Sequence, residues 1–197
     1  MRIVAGAARG RRLVVPAGDV VRPTADRVRE ALFSSLGEHV VGASVLDAFA
    51  GSGALGLEAR SRGAAHVTLV EHDRRALEAL RRNVASVALD AVGIVAGDAI
   101  RQVRDGRLAG APFDIVLLDP PYALAEVTLA ALLDALVPQL ADGALVVVER
   151  AASAPAPTWP EALRPTGDRR YGSTRLHRAV HDAHDGPVGD AEGGVGA

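Results

Sequence analysis

The tetrapeptide Asp119-Pro120-Pro121-Tyr122 closes the apolar run "FDIVLL". Its residue types suit one difficult step, alkylation of a planar amine. An exocyclic amine on a nucleobase is a poor nucleophile because its lone pair is delocalised into the ring. The Asp119 carboxylate and the Pro120 carbonyl can accept hydrogen bonds from the two amine protons. That draws the lone pair toward an incoming electrophile and favours the transition state over the planar ground state. Pro121 holds Pro120 extended and removes an N–H that would compete for the same acceptors. Tyr122 offers a flat face on which a base turned out of its stack can rest. The bland alternative is a polar turn after a buried strand.

A second stretch, "VLDAFAGSGALGLEA" at residues 45 to 59, carries Gly51, Gly53 and Gly56 in the spacing G-x-G-x-x-G. Nucleotide-binding folds place such glycines after their first strand, and Glu71, twenty residues beyond Gly51, stands where a ribose-binding acid belongs. Two features argue against NAD. Asp47 precedes the loop, where a carboxylate would oppose a pyrophosphate but suit a ligand with an ammonium and a sulfonium, as in S-adenosylmethionine. No downstream residues resemble a hydride-transfer site. A tight strand-to-helix turn with no ligand is the alternative.

The elements that must hold these groups alternate along the chain. Apolar runs at 44–49, 66–71, 92–96, 113–118 and 144–149, rich in Val, Ile and Leu, read as buried parallel strands. Helical patterns separate them: 22–38 capped by Thr24, with Val28, Ala31, Leu32, Ser35 and Leu36 on one face; 54–62; 73–86 opening at Asp73; a short turn near 99–104; and 124–140. This β-α-β-α order predicts an α/β, doubly wound sheet. "AASAPAPTWP" reads as an exposed connection, and "RRYGSTRLHRAVHD" as a hairpin whose return strand closes the fold. Ligands of such sheets bind at the carboxyl ends of the strands. Those ends carry Asp47, Glu71, Asp98 and Asp119. Asp98 could also serve only as a helix cap.

Composition narrows the reading further. The chain of 197 residues fits one domain with small extensions, and without cysteine it has neither disulfides nor thiolate chemistry. No stretch reaches the ~20 apolar residues of a membrane span, and the arginine-broken start does not resemble a signal sequence, so a soluble, cytoplasmic protein is expected. The histidines, His39, His66, His72, His177, His181 and His184, show no metal-ligand spacing, and no metal is expected. A net charge of -2 conceals a basic head with seven arginines in residues 1–29 and an acidic tail. Arg9, Arg11 and Arg12 read as a flexible, phosphate-contacting arm, or else as a solvated face. All 22 basic side chains are arginine, which a GC-rich genome would also explain. The expected division is a basic extension at 1–21, a catalytic domain at 22–183 and a disordered acidic tail at 184–197.

The glycine stretch, "LVEHDRRALEALRRN" and "FDIVLLDPPY", preceded by "GAARGRRL" and "RPTADRVREALFSSL", resemble the RsmD-type small-subunit ribosomal RNA guanine-N2 methyltransferases, strongly over residues 2 to about 122. The resemblance implies a Rossmann-like class I methyltransferase fold with a mainly parallel seven-stranded sheet. It implies that Asp47, Phe49, Gly51 and Gly53 line the methionine and ribose part of S-adenosylmethionine, that Glu71 holds the ribose hydroxyls and that Asp98 meets the adenine amine. It further implies RNA recognition by the amino-terminal extension, and a small ribosomal subunit or its assembly intermediate as partner. Guanine as the target rests on the resemblance alone. Asp-Pro-Pro-Tyr is shared with adenine-N6 and cytosine-N4 enzymes, so an amino-methyltransferase of another base or of a protein amide stays open. An NAD-dependent oxidoreductase or an inactive RNA-binding module are the more distant alternatives.

Overall fold

The computed structural model describes residues 1–16 and 23–182. The acidic tail at 184–197 and the end of the basic extension at 17–21 lie outside the described residues. Five helices and seven strands follow in the order α1 (Pro23–Leu36), β1 (Ser44–Asp47), α2 (Ala54–Ser61), β2 (His66–Glu71), α3 (Arg74–Val87), β3 (Val92–Ala96), α4 (Ala99–Asp105), β4 (Phe113–Leu118), α5 (Glu126–Leu136), β5 (Leu140–Ala151), β6 (Leu163–Tyr171) and β7 (Thr174–His181). The strands form one sheet in the order β3-β2-β1-β4-β5-β7-β6. β1 pairs in parallel with both β2 and β4, so the winding direction reverses between β1 and β4. β7 enters antiparallel beside β5, with β6 on the outer edge.

Alternation along the strands sends neighbouring side chains to opposite faces, and both faces are apolar. Val45, Ile115 and Leu117 join Leu32, Phe33, Leu36, Leu77 and Leu80 from α1 and α3. Leu46, Val116 and Leu118 join Val103, Leu129, Leu132 and Leu133 from α4 and α5. Helix α3 starts where Asp73 Oδ1 accepts from Ala76 N at 2.8 Å, the expected cap.

Several boundaries differ from the sequence reading. Helix α1 begins at Pro23, so position 24 falls inside the helix and not ahead of it. Ser35 is exposed; Phe33 takes the inward position beside Leu32 and Leu36. The pattern at 124–140 contains a helix only over 126–136, because Pro138 turns the next residues into a 3₁₀ turn. β5 is correspondingly longer than expected, and residues 99–105 form a full helix. The connection after Ala151 is not wholly exposed, since Pro157 is buried and Trp159 packs against the α5 side of the core.

The largest departure is the basic head, which is pinned to the domain and not a flexible arm. Ile3, Ala8 and Leu13 pack with Leu57 of α2 and Val87 of α3. The fully buried Glu58 accepts from Val4 N at 2.7 Å, Ala5 N at 3.0 Å and Arg62 Nε at 2.7 Å. Asn83 clasps Val14 from both sides, accepting from its N–H at 2.7 Å and donating to its carbonyl at 2.8 Å. At Gly6 the chain runs against α2 with φ +80, and a Cβ there would stand 1.8 Å from the Ser61 carbonyl oxygen. Gly6→Ala should therefore lower stability by about 1–3 kcal/mol, through a backbone clash in a conformation that alanine resists. Urea unfolding checks this, and an unchanged midpoint would show that the head is not fastened there.

Candidate active site

The carboxyl ends of β1, β2, β4 and β5 open onto one cavity of about 670 Å³, at the point where the winding reverses. Phe49, Gly51, Glu71, Asp119, Pro120, Pro121 and Tyr122 all line it, so the glycine loop and the Asp-Pro-Pro-Tyr segment share one space. Asp119 and Pro121 are exposed, Pro120 is buried, and Tyr122 stands 58% exposed at the mouth.

The glycines of the loop do different work. Gly51 has φ +53 and nothing within reach of an added Cβ, which leaves its backbone bare toward the cavity. Gly53, at φ +83, faces Leu80 and Leu57 and packs the loop from behind. Gly56 lets α2 touch the sheet: a Cβ would lie 2.2 Å from Leu69 Cδ2 and 2.9 Å from Val67 Cγ1. Its N–H donates to Asp47 Oδ2 at 2.9 Å.

Glu71 is the clasp of the site. Its Oε2 accepts from Gly51 N at 2.8 Å, and its Oε1 accepts from His72 N and Asp73 N, each at 2.7 Å. A carboxylate offers about four lone-pair sites, so room remains for a ligand hydroxyl.

Asp47, Gly53 and Asp98 do not line the cavity: Asp47 and Gly53 are buried next to lining residues, and Asp98 is exposed beside Gly97 and Ala99. Asp98 is the N-cap of α4, with Oδ1 accepting from Arg101 N at 2.9 Å, while its neighbours Gly97 and Ala99 reach the cavity wall. Asp47 is 1% exposed, and its Oδ1 has no hydrogen-bond partner among the described residues. Burial first, with Asp119 and Glu71 adding repulsion, pushes its carboxyl up to about 7 against the opposing Gly56 N–H and a weaker pull from the Phe49 N–H.

Arg9, Arg11 and Arg12 are exposed on the head and lie outside the lining, but Met1, Val15 and Pro16 of the same segment do line it. Sequence reasoning missed Glu149, which lines the cavity from the end of β5, and Asn83, which also donates to the glycine-loop carbonyl of Ser52 at 2.8 Å. Strand-end position could have singled out Glu149. Nothing local marks Asn83 apart from its burial on an otherwise apolar helix face. Among the described residues no group of histidine and carboxylate side chains is placed to hold a metal ion, and no helix is long and apolar enough to cross a membrane.

Comparison with known proteins gives consistent matches. The family described as Conserved hypothetical protein 95 matches residues 1–179. The chain is 44% identical over 162 residues to ribosomal RNA small subunit methyltransferase D of Escherichia coli K12, covering 81% of this chain and 79% of that protein. It is 37% identical over 123 residues to the putative rRNA methyltransferase YlbH of Bacillus subtilis, covering 62% and 67%. Among solved structures, the putative methyltransferase yhhF of Escherichia coli superposes with a TM-score of 0.79 at 40% identity, covering 93% of this chain and 98% of that one.

The raised Asp47 carboxyl has a thermodynamic consequence. The folded chain holds this proton up to about pH 7, whereas an unfolded aspartate loses it near 3.8. Folding therefore takes up a proton in that window, and stability falls as pH rises through it, by at most about 1.4 kcal/mol per unit, then levels off. Asp47→Asn, whose amide oxygen can still accept from Gly56, removes this loss. In urea titrations of ligand-free protein the variant should gain on the parent between about pH 4 and 7 and hold a constant lead above. A difference independent of pH would mean that Asp47 is not buried as a strained carboxyl.

Proposed function

The chain belongs to the family described as Conserved hypothetical protein 95, that of ribosomal RNA small subunit methyltransferase D, and from that premise we propose that it methylates the exocyclic N2 amine of a guanine in small-subunit ribosomal RNA. One observation carries the reading: Glu71 and Gly51 on one side, and Asp119 to Tyr122 on the other, line the same cavity. Cofactor and target base then meet without any large movement of the chain.

The residues fit S-adenosylmethionine as cofactor. The bare backbone at Gly51 admits close approach, Glu71 can accept from ribose hydroxyls, and the buried Asp47, with one oxygen unpartnered among the described residues, favours a ligand that brings positive charge. Phe49 supplies apolar surface, and Asp98 sets the start of α4 beside the adenine end. When bound, the cofactor supplies an electrophilic methyl group on a sulfonium sulfur, which departs as a neutral sulfide as the nitrogen–carbon bond forms.

The chain's own residues prepare the nucleophile. The flipped base rests on the exposed ring of Tyr122, and Asp119 and the Pro120 carbonyl take the amine protons in hydrogen bonds. The lone pair is turned toward the methyl group, and after transfer one proton leaves the nitrogen for the Asp119 carboxylate, which passes it to solvent. Pro121 keeps the segment extended, so that both acceptors face the amine. The exposed Arg9, Arg11 and Arg12, on a head whose backbone reaches the cavity rim, contact RNA phosphates.

Incubation with labelled S-adenosylmethionine and small ribosomal subunits, followed by mapping of the label, tests the reading; label on a guanine N2 supports it, and label on another amine or on protein contradicts it. Asp119→Ala should lose most methyl transfer, on the order of 10²-fold or more, with cofactor affinity nearly intact. Tyr122→Phe should keep activity that Tyr122→Ala loses. Changing Arg9, Arg11 and Arg12 together to alanine should make the salt dependence of RNA binding shallower, by roughly 0.7–0.9 in logarithmic slope per lost contact. An unchanged slope would leave those arginines as a solvated face.

A further inference from the structure

Strand β6 forms the edge of the sheet and exposes every residue from Arg164 to Arg170. Its two ends are treated differently. Arg164, near the amino-terminal end of the strand, is held by Asp182 through Nε–Oδ2 at 2.6 Å and Nη2–Oδ1 at 3.2 Å. Arg169 and Arg170, beside the hairpin turn, form no salt bridge among the described residues, and Arg170 Nε donates only to the Gly172 carbonyl at 2.9 Å. Charge on an edge strand discourages pairing with another chain. That role gives no reason to neutralise one end and leave the other bare.

The bare end is the catalytic one. β5 runs parallel to β4, so its last residues lie with the carboxyl ends that open onto the cavity, and Glu149 lines it. The register then sets Arg150 opposite Arg175, and Arg175 opposite Arg170. Three arginines thus stand in one row across β5, β7 and β6, where like charges facing one another destabilise a sheet. Two carboxylates answer them: Glu126 pairs with Arg150, and Asp168 with Arg175 at 3.0 Å. Compensation is incomplete. Arg150 Nη1 and Arg175 Nε are buried donors without a partner among the described residues, and Nε2 of His177, two residues along β7, is buried and unpartnered too. Burial holds that imidazole below its usual value, which disfavours a further positive charge there.

We infer that the catalytic end of the β6–β7 hairpin grips backbone phosphates of the RNA through Arg169 and Arg170, which leave opposite faces of the edge strand beside its turn, with Arg175 behind Arg170. This surface lies on the β5 side of the cavity, whereas the amino-terminal head packs on α2 and α3. The target nucleotide is thereby held between two cationic contacts. The inference rests on the proposed function, since it takes RNA as the ligand.

The experiment measures binding of RNA from small ribosomal subunits, and methyl transfer to it, over a range of salt concentrations. The parent chain is compared with Arg169→Ala/Arg170→Ala, with Arg169→Glu/Arg170→Glu, and with Arg164→Ala as a control on the same strand; all three sites are exposed, and thermal melts check folding. Loss of both contacts should make the logarithmic salt slope shallower by roughly 1.4–1.8, with the charge reversal weaker still and Arg164→Ala like the parent. S-adenosylhomocysteine affinity should not move in any variant. If the parent methylates RNA and the double variants keep its slope, or if Arg164→Ala changes the slope as much as they do, the hairpin inference alone is overturned. If the parent neither binds nor methylates RNA, the proposed function falls and takes the hairpin with it.

Discussion

Helix α2 can start directly above β1 and β2 only because position 56 has no side chain. The space a Cβ would need at Gly56 is already filled by Leu69 and Val67, and the N–H exposed there is taken by Asp47. Much of the site follows from that close approach. It fixes the preceding loop, brings the Gly51 N–H to the Glu71 carboxylate, and lets Asn83 reach the Ser52 carbonyl. Further along the same helix it positions Glu58 and Ser61, which fasten the amino-terminal head. One backbone contact thus ties the cofactor side of the cavity to the segment that carries Arg9, Arg11 and Arg12.

The electrostatics divide the molecule into an acidic interior and a basic rim. Asp47, Glu71, Asp119 and Glu149 converge at or behind the cavity wall, and Asp47 bears the cost as a carboxyl pushed up to about 7. A site that strains its own carboxylates in this way favours a cationic guest over a pyrophosphate, which would add to the repulsion. Exposed arginines stand outside it on the head and on the β6–β7 hairpin. Polyanion at the rim and cation at the centre is the charge pattern that an S-adenosylmethionine-dependent enzyme of nucleic acid requires.

The sheet and the position of the cavity are legible in the sequence because they rest on local signals. Short β-branched runs, capped helices and polar strand ends are visible in any window of the chain; β2, β3 and β4 end where their apolar runs end, and β1 stops at Asp47, two residues short of its run. The chain's assembly was less legible. Nothing near Ala5 or Glu58 says that they meet, since the contact joins residues more than fifty apart, so three arginines beside glycines read as a loose arm. Asp47, Gly53 and Asp98 showed where the cavity is but not which layer of it they occupy, because spacing gives no depth. The row of Arg150, Arg175 and Arg170 exists only through strand register, which periodicity does not set.

Glu71 clasps the loop, and the proposed binding of S-adenosylmethionine has the same carboxylate receive the ligand. Calorimetric titration of the parent and of Glu71→Ala with S-adenosylhomocysteine and with NAD addresses it directly. The expected result is binding of S-adenosylhomocysteine, a loss of about 1–3 kcal/mol on removal of the carboxylate, and no measurable binding of NAD. Tighter binding of NAD, or equal S-adenosylhomocysteine affinity in the two proteins, would contradict it.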